Sequence, residues 1–187
     1  MKTILFTSVD EVENEIQLVT ELLELGLDYL YIFKPELDDF SLVDFVEKIP
    51  EQYWKQCISN SLIITKEFDL AGYYFTPDIL QKNELYNQKI FDWLKQNNKI
   101  SATTISQPNK LSNSNSFEHI FISHSEIKDT DLHQLVALDC NTINDIQQLK
   151  ATPIEGIEIS NFIWNNEHSE EAKTKMVEIL MELNLKK

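Results

Sequence analysis

Short apolar segments alternate with longer amphipathic segments along nearly the whole chain, and this alternation restricts the possible folds more than any other feature. The short segments are rich in β-branched and aromatic residues, which is typical of strands. The longer segments repeat apolar residues every three or four positions, which is typical of helices. Strands separated by helices pair in parallel, because each crossover returns the chain to the same end of the sheet. The predicted strands are residues 3–8, 27–33, 55–59, 71–75, 99–105, 119–123, 135–138 and 154–160.

The amphipathic segments predict helices between these strands. Gly26 follows the last apolar position of the first helix, and a glycine there commonly ends a helix. Only about ten residues separate the sixth and seventh strands, which predicts a loop or a single helical turn instead of a crossover helix. Residues 108–117 are polar and predict a loop or a poor helix. The predicted helices are residues 10–25, 40–48, 63–69, 79–96, 142–150 and 168–185.

Eight parallel strands are the number that closes into a (β/α)8 TIM barrel, and this is the fold that the sequence favours. Such barrels usually have about 250 residues, so a chain of 187 residues leaves room only for short loops. The alternative fold is an open, doubly wound parallel sheet. The length also predicts one domain, covering residues 1–187. In a closed barrel, residues 3–8 pair with residues 154–160.

The net charge of −15 narrows the range of partners. All 16 basic residues are lysines, so the chain lacks arginine, the side chain best suited to holding a phosphate through two hydrogen bonds. Nucleic acid and anionic membrane are not expected as partners, because both are bound through cationic patches. No apolar run reaches the roughly 20 residues of a membrane span. Residues 1–6 are predicted to begin a strand and not a signal peptide.

The two cysteines, Cys57 and Cys140, lie in separate segments. Two thiols without a disulfide framework are typical of a reducing compartment, so we expect a cytoplasmic protein. Each cysteine is expected to be a small buried side chain at the end of a strand.

Several segments, in order along the chain, resemble the thiamine phosphate synthase family and its TenI-like members. Residues 27–36 (LDYLYIFKPE) are similar to the family's "LD-x-hydrophobic-x-LRKP" segment, and residues 50–53 (PEQY) to its "IPEKY" stretch. Residues 68–72 (FDLAG) resemble the approach to its fourth strand. Residues 136–141 (VALDCN) stand where the family has "VALGGI", and residues 156–160 (GIEIS) resemble its eighth strand. The family fold is a (β/α)8 barrel, so the resemblance implies the same architecture.

The resemblance also implies a phosphate site after the seventh and eighth strands, where backbone amides hold the anion in this family. Such a cradle favours glycine, because the backbone must come close to the anion. Residues 139–141 (DCN) replace the glycines here, and Asp139 would bring negative charge to the site. We expect its carboxylate to cap the helix that follows Asn141 in place of a phosphate. The candidate ligand-binding residues of this region are Asp139, Asn141, Gly156 and Ser160.

Two further sites follow from the resemblance. The family binds pyrophosphate through an arginine and a lysine near the end of the second strand; Phe33 takes the arginine position and Lys34 matches the lysine. The family also holds Mg²⁺ on acids after the third and fourth strands, where Asn60 and Asp78 stand. Mg²⁺ bridges carboxylate and phosphate oxygens, so Asp78 is the candidate metal ligand, and Lys34 and Asn60 are candidate ligand-binding residues. The alternatives are that Lys34 pairs with a nearby acid and that Asp78 is solvated; no cofactor is expected except Mg²⁺ for a synthase.

His124 is the candidate catalytic residue. A TenI-like tautomerase uses a histidine for proton transfer, and an imidazole titrates near neutral pH. His124 should lie at the rim of the sixth strand, in a loop (residues 123–129) that lacks the longer ligand-covering form of the family; the alternative is a surface or capping histidine. His119, His133 and His168 do not have the HxH or HExxH spacing of zinc sites.

Two hypotheses about function follow. The first is a divergent, non-catalytic barrel associated with thiamine biosynthesis that lacks synthase activity, either a degenerate paralogue or a binding protein that acts with a partner. The second is an active enzyme, either a thiamine phosphate synthase or a thiazole tautomerase acting on a phosphorylated thiazole. The first is favoured because a synthase must neutralise a pyrophosphate leaving group, and the residues suited to that work are largely replaced. The expected ligand is a phosphorylated small molecule, and the sequence leaves the oligomeric state open.

Overall fold

Eight parallel strands form a closed barrel in the computed structural model, which describes residues 1–82, 84–106, 116–127, 134–165 and 169–184. The strands are β1 (Lys2–Phe6), β2 (Tyr29–Ile32), β3 (Cys57–Ser59), β4 (Gly72–Phe75), β5 (Ile100–Thr104), β6 (His119–Ser123), β7 (Leu135–Leu138) and β8 (Gly156–Glu158). Each pairs with the next in chain order, and β8 pairs with β1, placing Glu158 opposite Ile4. The predicted barrel is therefore confirmed, and the open sheet is wrong.

Helices follow most strands and cover the outside of the barrel. They are α1 (Glu15–Leu25), α2 (Asp39–Glu47), α3 (Leu62–Glu67), α4 (Pro77–Lys82), α5 (Glu84–Gln96), α6 (Ile143–Leu149), α7 (Ser160–Trp164) and α8 (Ser169–Asn184), with 3₁₀ segments at Glu51–Gln56 and His124–Glu126. Gly26 ends α1 at φ 111°, as predicted, and its N–H donates to carbonyls of the last turn. No helix in the described part of the chain combines the length and hydrophobicity needed to cross a bilayer.

The structure corrects two of the predicted elements. Strand β8 ends at Glu158 and not at residue 160, because Ser160 begins the short helix α7, which the sequence did not indicate. A short apolar run is compatible with a strand or a helix, and here the run changes from one to the other. The single helix predicted for residues 79–96 is two helices, α4 and α5. Most of the loop predicted for residues 108–117 lies outside the described residues.

Side chains on each strand alternate between the barrel interior and the shell of helices, as strand geometry requires. On β1, Leu5 faces outward and joins the core beneath the helices, whereas Ile4 faces the interior. The outer core is completed by fully buried helix residues such as Leu22 and Met176. Burying one such side chain contributes roughly 1.5–3 kcal/mol to folding. The alternation explains why strands such as β1 and β2 have apolar residues on both sides.

Aromatic rings fill the barrel interior. Phe6, Tyr31, Tyr74 and Phe121 form a cluster in which ring centroids lie 4.9–6.2 Å apart, mostly edge to face. Such ring pairs contribute about 0.5–1.5 kcal/mol each beyond the burial of their area. Phe33 extends the cluster towards the carboxyl ends of the strands, where its ring meets Tyr74 at 5.9 Å. The interior is therefore packed by side chains and is not an open channel.

The amino-terminal end of the barrel holds a buried histidine. His119 begins β6, and its Nδ1 shares a hydrogen bond of 2.6 Å with the Tyr31 hydroxyl. Burial lowers the pKa of His119 to about 4, and the charge of Lys2 acts in the same direction. The imidazole is therefore neutral at physiological pH and serves as a polar element of the core. Its position is at the end opposite to the predicted phosphate site.

Gly156 also lies at this amino-terminal end, opposite Lys2. A β-carbon at Gly156 would stand 2.8 Å from the Lys2 carbonyl oxygen. The glycine therefore allows β1 and β8 to approach closely where the barrel closes. The expectation that Gly156 helps to hold phosphate at the opposite rim is wrong, because the residue begins its strand instead of ending it.

We expect Gly156→Ala to destabilise the fold by about 1–3 kcal/mol, because the new methyl group overpacks the β1–β8 seam. The measurement is the free energy of unfolding in urea. Gln147→Ala, on an exposed face of α6, is the control and should change it by less than about 0.5 kcal/mol. An unchanged unfolding free energy for Gly156→Ala would show that β1 and β8 can move apart slightly without a loss of stability.

Candidate functional site

The carboxyl ends of the eight strands form the rim where (β/α)8 barrels place their ligand sites. Most of the candidate residues from the sequence lie in the segments that follow these ends. Lys34 follows β2, Asn60 follows β3, His124 follows β6, Asp139 and Asn141 follow β7, and Ser160 follows β8. The fold therefore brings them to one end of the barrel, and their side-chain contacts decide which of them can meet a ligand.

Lys34 is buried inside the rim and is fully engaged there. Its Nζ donates to Glu15 Oε2 and to the Ser8 carbonyl oxygen, both at 2.6 Å. Glu15 also accepts from the Ser8 amide at 2.9 Å. The ammonium group lies 5.5 Å from the centre of the Phe45 ring. Removing one member of a buried ion pair typically costs about 3–5 kcal/mol, so Lys34 is held in a structural contact and does not point to a ligand.

The amides after β7 are occupied by a carboxylate of the protein. Asp145 Oδ2 accepts from the Asn141 N–H at 2.9 Å and from the Thr142 N–H at 2.8 Å. The Thr142 Oγ1 in turn accepts from the Asp145 N–H at 3.2 Å, which completes a capping box at the start of α6. The hydrogen bond that the Asn141 N–H donates is the main cause that lowers the pKa of Asp145. Asp145 therefore takes the position that an anion would need.

The prediction that Asp139 caps this helix is wrong. Asp139 is exposed and has a φ angle of 61°, in the left-handed region that favours glycine. Its carbonyl oxygen, and not its carboxylate, is engaged by the Asn141 side chain at 2.8 Å. The Asn141 side-chain oxygen in turn accepts from Asn161, which joins the loops after β7 and β8. The backbone shape typical of a glycine thus persists without the glycine.

Glu158 is a site residue that the sequence reasoning missed. It ends β8, faces the barrel interior and is only 6% exposed. Its Oε1 accepts from the Ser160 N–H at 2.6 Å, so a carboxylate also occupies an amide after β8. Burial raises the pKa of Glu158 to about 7, and the charge of Asp139 adds to the shift. The sequence feature that could have indicated this residue is a single acid within the otherwise apolar segment 156–159.

His124 and Ser160 stand on either side of this region. His124 begins the 3₁₀ turn after β6, and its Nδ1 donates to the Leu138 carbonyl oxygen at 3.3 Å. This bond fixes the ring at the rim beside the loop that carries Asp145, whose pKa the imidazole charge lowers slightly. The Ser160 hydroxyl accepts from the Phe6 amide at 3.1 Å, so it ties α7 to β1. His133 and His168 lie outside the described residues.

The donors present do not fit the Mg²⁺ site that the resemblance implies. Asp78 is exposed in the first turn of α4. Asn60 contributes a buried amide oxygen that has no hydrogen-bond partner among the described residues. Across the same residues, no three His, Cys, Asp or Glu side chains converge as metal ligands. One exposed carboxylate and one amide oxygen are a poor donor set for an ion that is held mainly by carboxylates and phosphate.

The entrance to the barrel at this rim is apolar. Phe33 and Leu138 pack against the interior cluster together with its member Phe6, and the Tyr74 hydroxyl is hydrogen-bonded to Thr104 Oγ1 at 2.8 Å.

Both cysteines are buried free thiols, as predicted, and burial raises the pKa of each to about 12. Neither is therefore a thiolate at neutral pH.

Two cavities in the described part of the chain are lined by other residues than those of this entrance. One of about 450 Å³ is at the amino-terminal end, between Tyr29, Asp69 and Lys99. The other, of about 320 Å³, lies between α1 and α8 beside Trp164. In the first cavity, Asp69 forms ion pairs with both Lys55 and Lys99, so each ammonium group already has a carboxylate contact.

The fold and rim define this chain as a compact (β/α)8 barrel, and solved structures of similar shape agree. A thiamine phosphate pyrophosphorylase from Bacteroides thetaiotaomicron superposes with a TM-score of 0.81 over 100% of both chains at 17% identity. One from Pyrococcus furiosus gives 0.70 over 96% of both chains at 12% identity. A 3-hexulose-6-phosphate synthase gives 0.60 over 94% of this chain and 99% of that chain at 10% identity. No protein-family model matches the sequence, and no curated protein matches it.

We expect Glu158→Gln to remove a pH dependence of stability. A folded-state pKa above the ordinary value means that the folded protein holds the extra proton, so stability falls as pH rises from about 4.5 to about 7. The variant should therefore be more stable than the parent by about 1–3 kcal/mol at pH 8 and nearly equal to it at pH 5. Urea unfolding at both values measures this difference. Parallel pH profiles for the two proteins would contradict the assignment.

Proposed function

We propose that this chain is a divergent barrel of the thiamine phosphate synthase type that works in thiamine biosynthesis by binding and lacks synthase activity. The observation that carries the proposal is the Asp145 carboxylate on the Asn141 and Thr142 amides. An anion at those amides would have to displace a carboxylate that already satisfies them. Since two anions cannot share the same donors, a phosphate would bind there only at the expense of the helix cap.

The charges around the rim support the same proposal. Transfer to or from a pyrophosphate requires cations or a metal ion where negative charge develops. Lys34 is committed to Glu15, and the chain has no arginine to replace it. Asp139 and Glu158 add negative charge beside the amides. Among these described residues, the barrel architecture is therefore combined with charges that do not suit synthase chemistry.

A second candidate function is proton transfer on a small molecule, as in a thiazole tautomerase. The observation that favours it is the inward-facing Glu158, whose pKa of about 7 suits a general acid or base at neutral pH. His124 stands at the same rim and would be a second proton-transfer group. This reaction needs no pyrophosphate leaving group, so it is compatible with the absence of arginine.

We expect no thiamine phosphate when the purified protein is incubated with thiazole phosphate, pyrimidine pyrophosphate and Mg²⁺. The measurement is product formation by chromatography, with the Bacteroides thetaiotaomicron pyrophosphorylase as the positive control. Turnover at an ordinary enzymatic rate of about 1 per second or faster would overturn the proposal. Isomerisation of a thiazole phosphate that Glu158→Gln abolishes would establish the second candidate instead.

A further inference from the structure

The negative charge of this protein is concentrated in its first quarter. Between Thr3 and Glu47 the sequence has twelve acidic residues and a single lysine, Lys34. That segment contributes −11 to the net charge of −15. Because Lys34 is buried in its pair with Glu15, the surface of the segment has no cation of its own to balance the acids.

Many of these acids lie in the two loops that follow β1 and β2, at the carboxyl-terminal rim. Three large apolar side chains are exposed among them or next to them: Phe40 is 84% exposed, and Val9 and Ile63 are each 58% exposed. Val9 follows β1, Phe40 is the second residue of α2 after β2, and Ile63 is the second residue of α3 after β3. We call this surface the acidic rim; its exposed acids are Asp10, Glu11, Glu13, Glu36, Asp38 and Asp39.

Side-chain hydrogen bonds join the three loops into one surface. Lys34 donates to the Ser8 carbonyl oxygen, which ties the loop after β2 to the residue before Val9. The Ser61 hydroxyl donates to Asp39 Oδ1 at 2.9 Å, which ties the loop after β3 to the residue before Phe40. Asp38 accepts from the Ser41 amide at 2.8 Å and fixes the start of α2. The apolar side chains are therefore presented on a pre-organised backbone, which reduces the entropy lost on binding.

We infer that the acidic rim is a docking surface for a basic, amphipathic segment of a partner protein. An exposed aromatic ring that directly follows two exposed acids, Asp38 and Asp39, is complementary to a segment that combines lysines or arginines with apolar residues. The apolar contact of Phe40 would supply most of the affinity, because aromatic anchors dominate interface energies. The acids would speed association and select basic partners.

The same charges argue against other occupants. A second copy placed symmetrically on this surface would bring the same acids face to face, since a two-fold interface pairs each patch with itself. Nucleic acid and anionic lipid carry the same sign of charge and are repelled. A metal ion is not indicated either, because no three acidic, histidine or cysteine side chains of the described ranges converge as ligands. The inference is independent of whether the barrel has catalytic activity.

The test uses the full chain, labelled with ¹⁵N, and a helical peptide of about 16 residues built from lysine and leucine. We expect saturable shifts of the amides of the acidic rim and a Kd of roughly 10–100 μM at low salt. Phe40→Ala should weaken binding at least about tenfold. Met181→Ala, which removes an apolar side chain that is 63% exposed on α8, is the matched control and should have no effect.

Charge is tested by the triple variant Asp10→Asn, Glu11→Gln, Glu36→Gln, whose three side chains are all exposed. It should weaken binding and flatten the salt dependence, while its unfolding curve stays that of the parent. The inference is overturned if the peptide does not bind, if the shifts lie elsewhere, or if a peptide with glutamate in place of lysine binds equally well. Self-association that Phe40→Ala abolishes in sedimentation would also overturn it, because the occupant would then be a second copy.

Discussion

The aromatic cluster inside the barrel is the interaction on which the rest of this structure depends. Eight strands of three to five residues enclose a small interior, and Phe6, Tyr31, Tyr74 and Phe121 fill much of it with contacts between rings. Because these rings reach the carboxyl-terminal entrance, where Phe6 and Phe33 pack, the barrel has an apolar cap at the end where related folds bind ligands. Apart from the inward-facing Glu158, the polar side chains discussed for the rim lie in the segments after the strands, where several bond to one another.

The rim contacts follow one pattern: groups that could otherwise bind an anion have a carboxylate of the protein as their partner. Asp145 caps the amides after β7, Glu158 caps an amide after β8, and Glu15 neutralises Lys34. Two of these contacts are local and the third joins residues that are distant in sequence, and together they use donors that an anion would require. A barrel of this shape can therefore keep its fold while its own side chains satisfy the hydrogen-bond donors of the rim.

The sequence predicted the strands well because their signal is local. Strands β6 and β7 have the predicted limits, and parallel closure follows from their number and from the helices between them. The side-chain partners at the rim are harder to predict from the sequence, because Lys34 and Glu15 are distant in sequence and meet only through the fold. The cap on α6 can be predicted from the sequence, because Thr142 and Asp145 have the spacing of a capping box. The replacement of a glycine by Asp139 instead favours Asp139 as the cap, and that prediction is wrong. Glu158 was missed because its inward orientation depends on the register of β8.

The central claim is that carboxylates of the protein occupy the amides where a phosphate would bind. Adding phosphate while these amides are observed tests the claim most directly. Inorganic phosphate is added to ¹⁵N-labelled protein while the amide resonances of Asn141, Thr142 and Ser160 are followed by NMR. The account predicts no saturable shift of these three amides up to about 10 mM phosphate. Saturable shifts of these amides with a Kd below about 1 mM would contradict it, because they would show that phosphate displaces the carboxylates of Asp145 and Glu158.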